Sequence, residues 1–218
     1  MAKKDVFARV RAGFELYRQA VDLCLERGIK EGDSGCVHYA LAMLRPDLCN
    51  IRVTAQGLSQ PTTGRQFIED HQIEPYVRPD RFTPRNAKRF RHTLKDKRVA
   101  GIIALVPCTH VGLPGPERGP VPLSEGIHSI AVQGLLRETD PKLARGLRGK
   151  FPKKVRSRLL LTTDRYPYTK RPIDIDYGPR LLKAMSRISG ANAIVLAERG
   201  YRYTADKREL VPIPRSRR

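Results

Sequence analysis

A cysteine, a histidine and an aspartate in this chain have the types and the order that nucleophilic thiol chemistry requires. Cys36 begins an apolar segment, 36–45, that is predicted to be a helix, and the N-terminus of a helix favours the reactive thiolate. His128 opens a predicted strand in Gly-Ile-His-Ser-Ile-Ala-Val-Gln-Gly, and Asp140 follows downstream. A nucleophile, a base and a carboxylate that orients the base are the parts of a covalent hydrolase.

In these two patches the chain resembles the papain-like cysteine peptidases, especially the bacterial ones that process leader peptides. The resemblance implies that Cys36 is the nucleophile, His128 the base and Asp140 the group that orients the base. Two features depart from that family's pattern: segment 29–34 lacks the usual Gln, and a valine follows Cys36. His38 is a poor base for Cys36, because residues two apart on a helix do not face each other.

Asp174 and Asp176 form a second acidic pair, in an extended segment where alternate residues face the same side. Two such carboxylates can hold Mg²⁺ for nuclease chemistry, but they can equally pair with Arg171 and Arg180. We predict no metal and no cofactor. The chain contains no Walker loop, dinucleotide fingerprint or two-histidine zinc motif, and its four cysteines include no C-x-x-C pair.

Positive charge is concentrated in two blocks of the chain. The 218 residues include 42 Lys and Arg against 22 Asp and Glu, a net charge of +20. Residues 1–77 are net neutral and 99–136 carry −1, whereas 78–98 carry +7 and 137–218 carry +14. Because an evenly soluble surface needs no such concentration, the two blocks predict faces that bind a polyanion, with nucleic acid favoured.

The first basic block is predicted to form a helix over 83–97. Thr83 is a good N-cap and the proline after it suits the first turn. Ala87, Phe90 and Leu94 form one apolar stripe, and cations cover much of the remaining surface. The proline-broken stretch before it leaves no helix-turn-helix, so we expect phosphate contact and not base reading. A solvated charged helix is the alternative.

The second basic block is less regular. Lys142–Arg158 is rich in cations with Gly and Pro between them, which favours an ordered loop or a basic arm. Tyr166 and Tyr168, like Tyr201 and Tyr203, alternate with cations, a pattern typical of proteins that stack unpaired bases; ordinary strand packing is the alternative. The predicted nucleic-acid contacts in the two blocks are Arg85, Lys88, Arg89, Arg91, Lys95, Lys150, Lys153, Lys154, Arg156, Arg158, Tyr166, Tyr168, Lys170 and Arg171.

Hydrophobic periodicity predicts helices first and mostly strands afterwards, which indicates an α+β domain with a small, mostly antiparallel sheet. The predicted helices span 5–28, 36–45 and 178–189, the strands 99–106, 127–135, 158–163 and 192–197, and the loops 50–80 and 107–122. The α+β body is predicted over 1–136, its basic continuation over 137–205, and a flexible basic tail over 206–218.

The sequence as a whole favours a nucleic-acid-binding protein, with RNA slightly preferred to DNA. A thiol hydrolase is one alternative, and a viral or assembly protein that packages nucleic acid in a larger nucleoprotein particle is another. We expect a cytoplasmic location with reduced thiols, because neither a secretory signal nor an apolar run long enough to span a bilayer is present.

Overall fold

The computed structural model describes residues 5–28, 35–59, 64–111, 120–121, 126–147, 149–164 and 173–214. The helices are α1 (Val6–Glu26), α2 (Cys36–Leu44), α3 (Ile51–Ser59), α4 (Gly64–Asp70), α5 (Ala87–Lys95), α6 (Leu136–Thr139), α7 (Pro141–Gly146), α8 (Lys153–Arg156) and α9 (Gly178–Met185). The strands are β1 (Val77–Asp80), β2 (Val99–Pro107), β3 (Ile127–Leu135), β4 (Leu159–Thr163), β5 (Asp174–Tyr177), β6 (Ala193–Ala197), β7 (Tyr201–Tyr203) and β8 (Leu210–Pro212). Within these residues, no helix has the length and apolar character needed to cross a membrane.

Six strands form one sheet in the order β1-β6-β2-β3-β4-β5, and β7 pairs with β8 separately. All the pairings within the sheet are antiparallel. The long central strands β2 and β3 pair from Ile102↔Val132 to Pro107↔Ile127. The α+β class predicted from the sequence is therefore confirmed.

One face of the sheet is covered by α1, α2 and α3. In α2, every residue from His38 to Leu44 is buried, as expected of a helix that is apolar on all sides. In α1, the buried residues recur at helical spacing and make one stripe toward α2. Gly13 lies in that stripe against the carbonyl of Ala42, where a Cβ would overlap the backbone. The two helices can therefore approach closely only because residue 13 has no side chain.

The opposite face is covered by α5 and α9. The stripe predicted in the basic helix packs here: Phe90 is buried, Ala87 and Leu94 pack against the same core, and the rings of Phe90 and Phe82 lie 5.2 Å apart. The predicted helix over 83–97 begins as a 3₁₀ turn, Pro84–Asn86, and continues as α5. Its apolar side is thus docked, and its cations point away from the core.

The segment 50–80 is more regular than its polar composition predicts, since it contains α3, α4 and β1. The expectation of a loop was wrong because packing overrides the weak helix propensity of its Thr, Gln and Gly residues. Ala55 and Leu58 are buried against α1 and α2. Asn50 is the N-cap that signals the start of α3: its side chain accepts hydrogen bonds from the backbone N–H groups of the second and third residues after it.

Two other segments differ from expectation. The block Lys142–Arg158 is neither a loop nor an arm, because α7 and α8 form within it. The segment 206–218, predicted to be a flexible tail, contributes strand β8, which pairs Leu210–Pro212 with Tyr201–Tyr203. These regular elements are short, and too few residues lie in each for a hydrophobic period to show.

Candidate active site

Cys36 is the first residue of α2, at the point where that helix emerges from the core. The rest of the helix is held against β2 and β3 by its buried side chains, so the position of the partly buried Cys36 is set by packing. Because the first N–H groups of a helix have no acceptor within it, this end of α2 also presents donors and a partial positive charge to the thiol.

His128 is the second residue of β3 and lies opposite Val106 of β2. Its side chain is almost fully buried. The imidazole makes two contacts with functional side chains. Its Nε2 lies 2.5 Å from Oδ1 of Asp164, and the ring is hydrogen-bonded to the thiol of Cys36. Since Asp164 occupies Nε2, the nitrogen left for the sulfur is Nδ1.

Asp164 follows directly after β4, and the antiparallel register explains how it reaches the histidine. Thr163 at the end of β4 pairs with Ala131 of β3, so the chain beyond Thr163 runs toward the beginning of β3. Asp164 accordingly lies beside His128, although 36 residues separate the two in the sequence. The structure thus brings a thiol, an imidazole and a carboxylate into one hydrogen-bonded chain.

The electrostatics of this chain favour a thiolate next to an imidazolium. Burial by itself raises the pKa of Cys36, but hydrogen bonds from His128 and Ser129 and the charge of His128 lower it below its ordinary value of 9.0. Burial lowers the pKa of His128, whereas hydrogen bonds with Asp164 and Cys36 and the charges of both outweigh burial and raise it to about 9. The proton is therefore held on the ring and the sulfur is left as the nucleophile.

The environment of Cys36 differs from that of another cysteine in the same core. Burial raises the pKa of Cys49 to about 11, although its sulfur is hydrogen-bonded to the hydroxyl of Thr54 at 3.1 Å. Burial alone therefore makes a thiol in this protein less acidic. The opposite shift at Cys36 follows from its contacts with His128 and Ser129.

Asp140, which the sequence offered as the orienting carboxylate, lies elsewhere. It is the N-cap of α7, where its side chain accepts a hydrogen bond from the N–H of Leu143 at 2.9 Å. His128 stands at the start of β3, and Asp140 follows the other end, beyond Leu135. The strand between them is about 23 Å long. Asp140 therefore cannot orient His128, and the following Pro141 was the sequence signal for a helix cap.

The residues that sequence reasoning missed are Asp164 and Ser129. Ser129 interacts with the sulfur of Cys36 through its side chain and its backbone. Ser129 adjoins His128 and carries no separate signal. Asp164 could have been found, because a carboxylate directly after the strand predicted at 158–163 lies beside the start of β3 if the two strands are antiparallel neighbours.

The predicted contacts of the basic helix are partly engaged within the protein. Arg89 lies 2.5 Å from Asp80 and over the ring of Phe82, and Lys95 pairs with Glu138 at 3.1 Å. Among the described residues, Arg85 and Lys88 have no acidic partner, and both are exposed. Arg91 and Arg158 line a cavity of about 280 Å³ at the edge of α5 and α9.

The predicted contacts of the second block fall into two groups. Lys153, Lys154 and Arg156 line one open cavity, and Lys150 is exposed nearby in the sequence. Tyr166, Tyr168, Lys170 and Arg171 lie outside the described residues. Of the two predicted tyrosine pairs, only Tyr201 and Tyr203 lie within the described residues. Both belong to β7, where Tyr203 is buried as an ordinary strand residue.

Asp174 and Asp176, the acidic pair on β5, do not form a metal site within the described residues. Asp174 is exposed, and Asp176 faces Nε2 of His110 at 3.7 Å. Within the described part of the chain, no group of three or more His, Cys, Asp and Glu side chains could hold a metal ion.

No family model, curated protein or solved structure matches this chain. What the protein can do is therefore inferred from its own residues and their geometry. The likeness to papain-like peptidases stays a resemblance in the order of a cysteine and a histidine.

Proposed function

We propose that this protein is a cysteine-dependent hydrolase that cleaves an amide or ester through an acyl-thioester on Cys36. The observation that supports the proposal is the hydrogen-bonded chain Cys36–His128–Asp164, in which the carboxylate lies 2.5 Å from the ring. The resemblance to papain-like peptidases favours an amide, and hence a peptide, as the substrate.

In the first half of the reaction, the thiolate of Cys36 attacks the carbonyl carbon of the substrate and forms a carbon–sulfur bond. The carbonyl electron pair moves to oxygen, and N–H groups at the start of α2 stabilise the oxyanion. The tetrahedral intermediate then collapses, the bond to the leaving group breaks, and the His128 imidazolium gives its proton to the departing amine or alcohol. An acyl-thioester and a neutral imidazole remain.

In the second half, the imidazole of His128 takes a proton from water as the water oxygen attacks the thioester carbon. Collapse of the second intermediate breaks the carbon–sulfur bond, releases the carboxylic acid and restores the thiolate–imidazolium pair. Asp164 holds the ring in the orientation that both proton transfers need and stabilises its charge.

The proposal is tested with p-nitrophenyl acetate and a fluorogenic peptide library, together with mass spectrometry of the intact protein. The wild type should show an acyl adduct on Cys36 and steady turnover. Cys36→Ala should lose the adduct and turnover by on the order of 10³-fold. Asp164→Asn should lose on the order of 10²-fold in turnover, because the ring is no longer oriented or charge-stabilised.

Asp140→Asn is the matched control, because it makes the same chemical change at a carboxylate that caps α7. It should keep wild-type turnover. If Cys36→Ala hydrolyses these substrates as fast as the wild type, or if Asp164→Asn and Asp140→Asn behave alike, the proposal is wrong.

The reactivity of the cysteines gives a second test of the proposal, one that needs no substrate. At about pH 6, iodoacetamide should alkylate Cys36 in preference to Cys49, because the two thiols have pKa values shifted in opposite directions. Equal labelling of the two cysteines in the folded protein would contradict the activated thiol.

A further inference from the structure

A large open cavity lies among the short helices of the second basic block. Its volume is about 1080 Å³, and five of its lining side chains are cationic. They come from three short helices that follow one another in the sequence, α6, α7 and α8. The described lining residues are Arg137, Pro141, Ala144, Arg145, Lys153, Lys154, Arg156 and Ser157.

The charge of this cavity is not balanced within the described part of the chain. No acidic residue lines it, and none of its five cations forms an ion pair there with Asp or Glu, unlike Arg89 and Lys95 of α5. Clustered cations repel one another, and an anionic ligand would relieve that repulsion. The second basic block therefore places five cations without a described acidic partner around one cavity, whereas the first is partly paired within the protein.

The cavity lies at the opposite end of the sheet from the Cys36–His128–Asp164 chain. His128 begins β3 and Asp164 follows β4, whereas α6 follows the end of β3 and α8 precedes the start of β4. The length of β3, about 23 Å from His128 to its end, separates the two sites. The basic cavity is thus separate from the candidate active site.

The size of the cavity and one aromatic residue close to it in the sequence indicate the kind of ligand. A volume of this size is at the upper end for a small-molecule pocket, and the five cations suit several phosphates better than a single small anion. Phe151 lies two residues before the start of α8 and is 38% exposed, so its ring is accessible from solvent. Phe151 adjoins Lys150, Lys153 and Lys154 in the sequence, and an exposed aromatic ring among cations can stack an unpaired base while the cations hold phosphates.

We infer that the cavity formed by α6, α7 and α8 binds the sugar–phosphate backbone of single-stranded nucleic acid, with Phe151 stacking on a base. The concave shape and the exposed ring favour this ligand over an acidic polypeptide, whose side chains offer nothing to stack. The site is independent of the hydrolase proposal, because its residues do not contact the catalytic chain.

The test measures the binding of fluorescent oligonucleotides of about 12 residues by anisotropy, since single-strand sites span roughly 4–16 nucleotides. The probes are oligouridylate RNA, oligothymidylate DNA, a duplex of the same length and poly-glutamate. We expect either or both single strands to bind more tightly than the duplex and poly-glutamate, and the RNA and DNA arms identify the preferred sugar. Affinity should fall steeply between about 50 and 200 mM salt as counterions are released.

Variants locate the site. Lys153→Glu with Lys154→Glu should weaken single-strand binding by roughly tenfold or more and flatten its salt dependence. Arg85→Glu with Lys88→Glu makes the same charge change at exposed positions of the first block and should alter affinity by less than about twofold. Phe151→Ala should weaken single-strand binding by roughly fivefold or more while leaving duplex binding unchanged.

Three results would overturn the inference. Tighter binding of poly-glutamate would indicate an acidic polypeptide, and tighter binding of the duplex would exclude base stacking. Equal losses in the two charge-reversal variants would show that net charge, and not this cavity, drives binding. Cys36→Ala should bind nucleic acid like the wild type, and Lys153→Glu with Lys154→Glu should keep hydrolase activity, so that failure of one proposal is distinguishable from failure of the other.

Discussion

His128 is the central residue of the proposed catalytic site, because it contacts both the nucleophile and the carboxylate. Its imidazole is hydrogen-bonded to the thiol of Cys36 and to the carboxylate of Asp164. The ionisation of Cys36 therefore depends on the presence of Asp164. A buried histidine with one carboxylate partner would be unremarkable in a protein core. The adjacent thiol with a lowered pKa makes this pair a candidate catalytic base.

The proposed hydrolase should show a bell-shaped dependence of kcat/KM on pH. The acid limb reports formation of the thiolate and should lie below the ordinary thiol pKa of 9.0, because that of Cys36 is lowered. The alkaline limb reports loss of the imidazolium proton and should lie near pH 9, to which contacts with Asp164 and Cys36 raise the pKa of His128. Steady-state rates measured across this range give both limbs.

Asp164→Asn should move the alkaline limb to lower pH, because it removes the carboxylate that raises the pKa of His128. Asp140→Asn should leave both limbs in place. An alkaline limb that stays near its original pH in Asp164→Asn would show that the carboxylate does not control the protonation of the ring.

At the scale of elements, the position of Cys36 depends on how closely α1 and α2 pack. Gly13 of α1 faces the backbone of Ala42 in α2, and backbone cannot turn aside as a flexible side chain can. Helix α2 is therefore held at a distance from α1 that only glycine permits. Any shift of α2 also moves Cys36 relative to β3.

Gly13→Ala should consequently destabilise the fold by roughly 1–3 kcal/mol, as overpacking of a core does. Gly146→Ala, at the end of α7 where a Cβ meets nothing within 4 Å, is the control and should be neutral or slightly stabilising. Urea unfolding of the two variants measures the difference. If Gly13→Ala is as stable as Gly146→Ala, close packing of α1 on α2 does not limit the fold.

At the scale of the whole molecule, a buried pair of histidines makes stability depend on pH. His38 Nδ1 and His71 Nε2 lie 2.9 Å apart, and the N–H of Asn50 points to the other nitrogen of His71 at 3.2 Å. His71 therefore accepts at Nδ1 and donates from Nε2 to His38, so both rings are neutral. Burial lowers the pKa of His38 to about 4, and burial with repulsion from His38 lowers that of His71 to about 3.

The unfolded chain binds protons at these histidines below their ordinary pKa of 6.5, whereas the folded protein does not until about pH 4. The contribution of this pair to stability is therefore complete above pH 6.5 and falls as the pH drops below that value, by up to about 1.4 kcal/mol per pH unit for each histidine. The free energy of unfolding from urea titrations at a series of pH values between about 7.5 and 5 measures this slope.

His71→Gln should reduce that slope, and His92→Gln, at an exposed position on α5, should leave it unchanged. His128 acts in the opposite sense, because its pKa is raised from the ordinary 6.5 to about 9 in the folded protein. Its contribution to stability is complete well below pH 6.5 and is lost as the pH rises from there to about 9. A free energy of unfolding that stays constant from about pH 7 to 5 would contradict the neutral pair.

The sequence by itself determined the features that depend on neighbours along the chain. Hydrophobic spacing was enough to predict α1, α2, α5 and the central strands, and so the α+β class, because helical and strand periodicity are local. The concentration of positive charge in two blocks could also be read directly from the sequence. The short or polar elements, α3, α4, α7, α8 and β8, were not predicted, because tertiary burial stabilises them and local propensity does not.

The tertiary structure alone decided which side chains meet. The order of cysteine, histidine and aspartate suggested Asp140, but strand pairing places Asp164 beside His128 and leaves Asp140 at the far end of β3. The same pairing puts the basic helices α6 to α8 at the end of the sheet opposite Cys36. Which strands become neighbours, and in which direction they run, is fixed by packing between distant segments, and no pattern of adjacent residues records it.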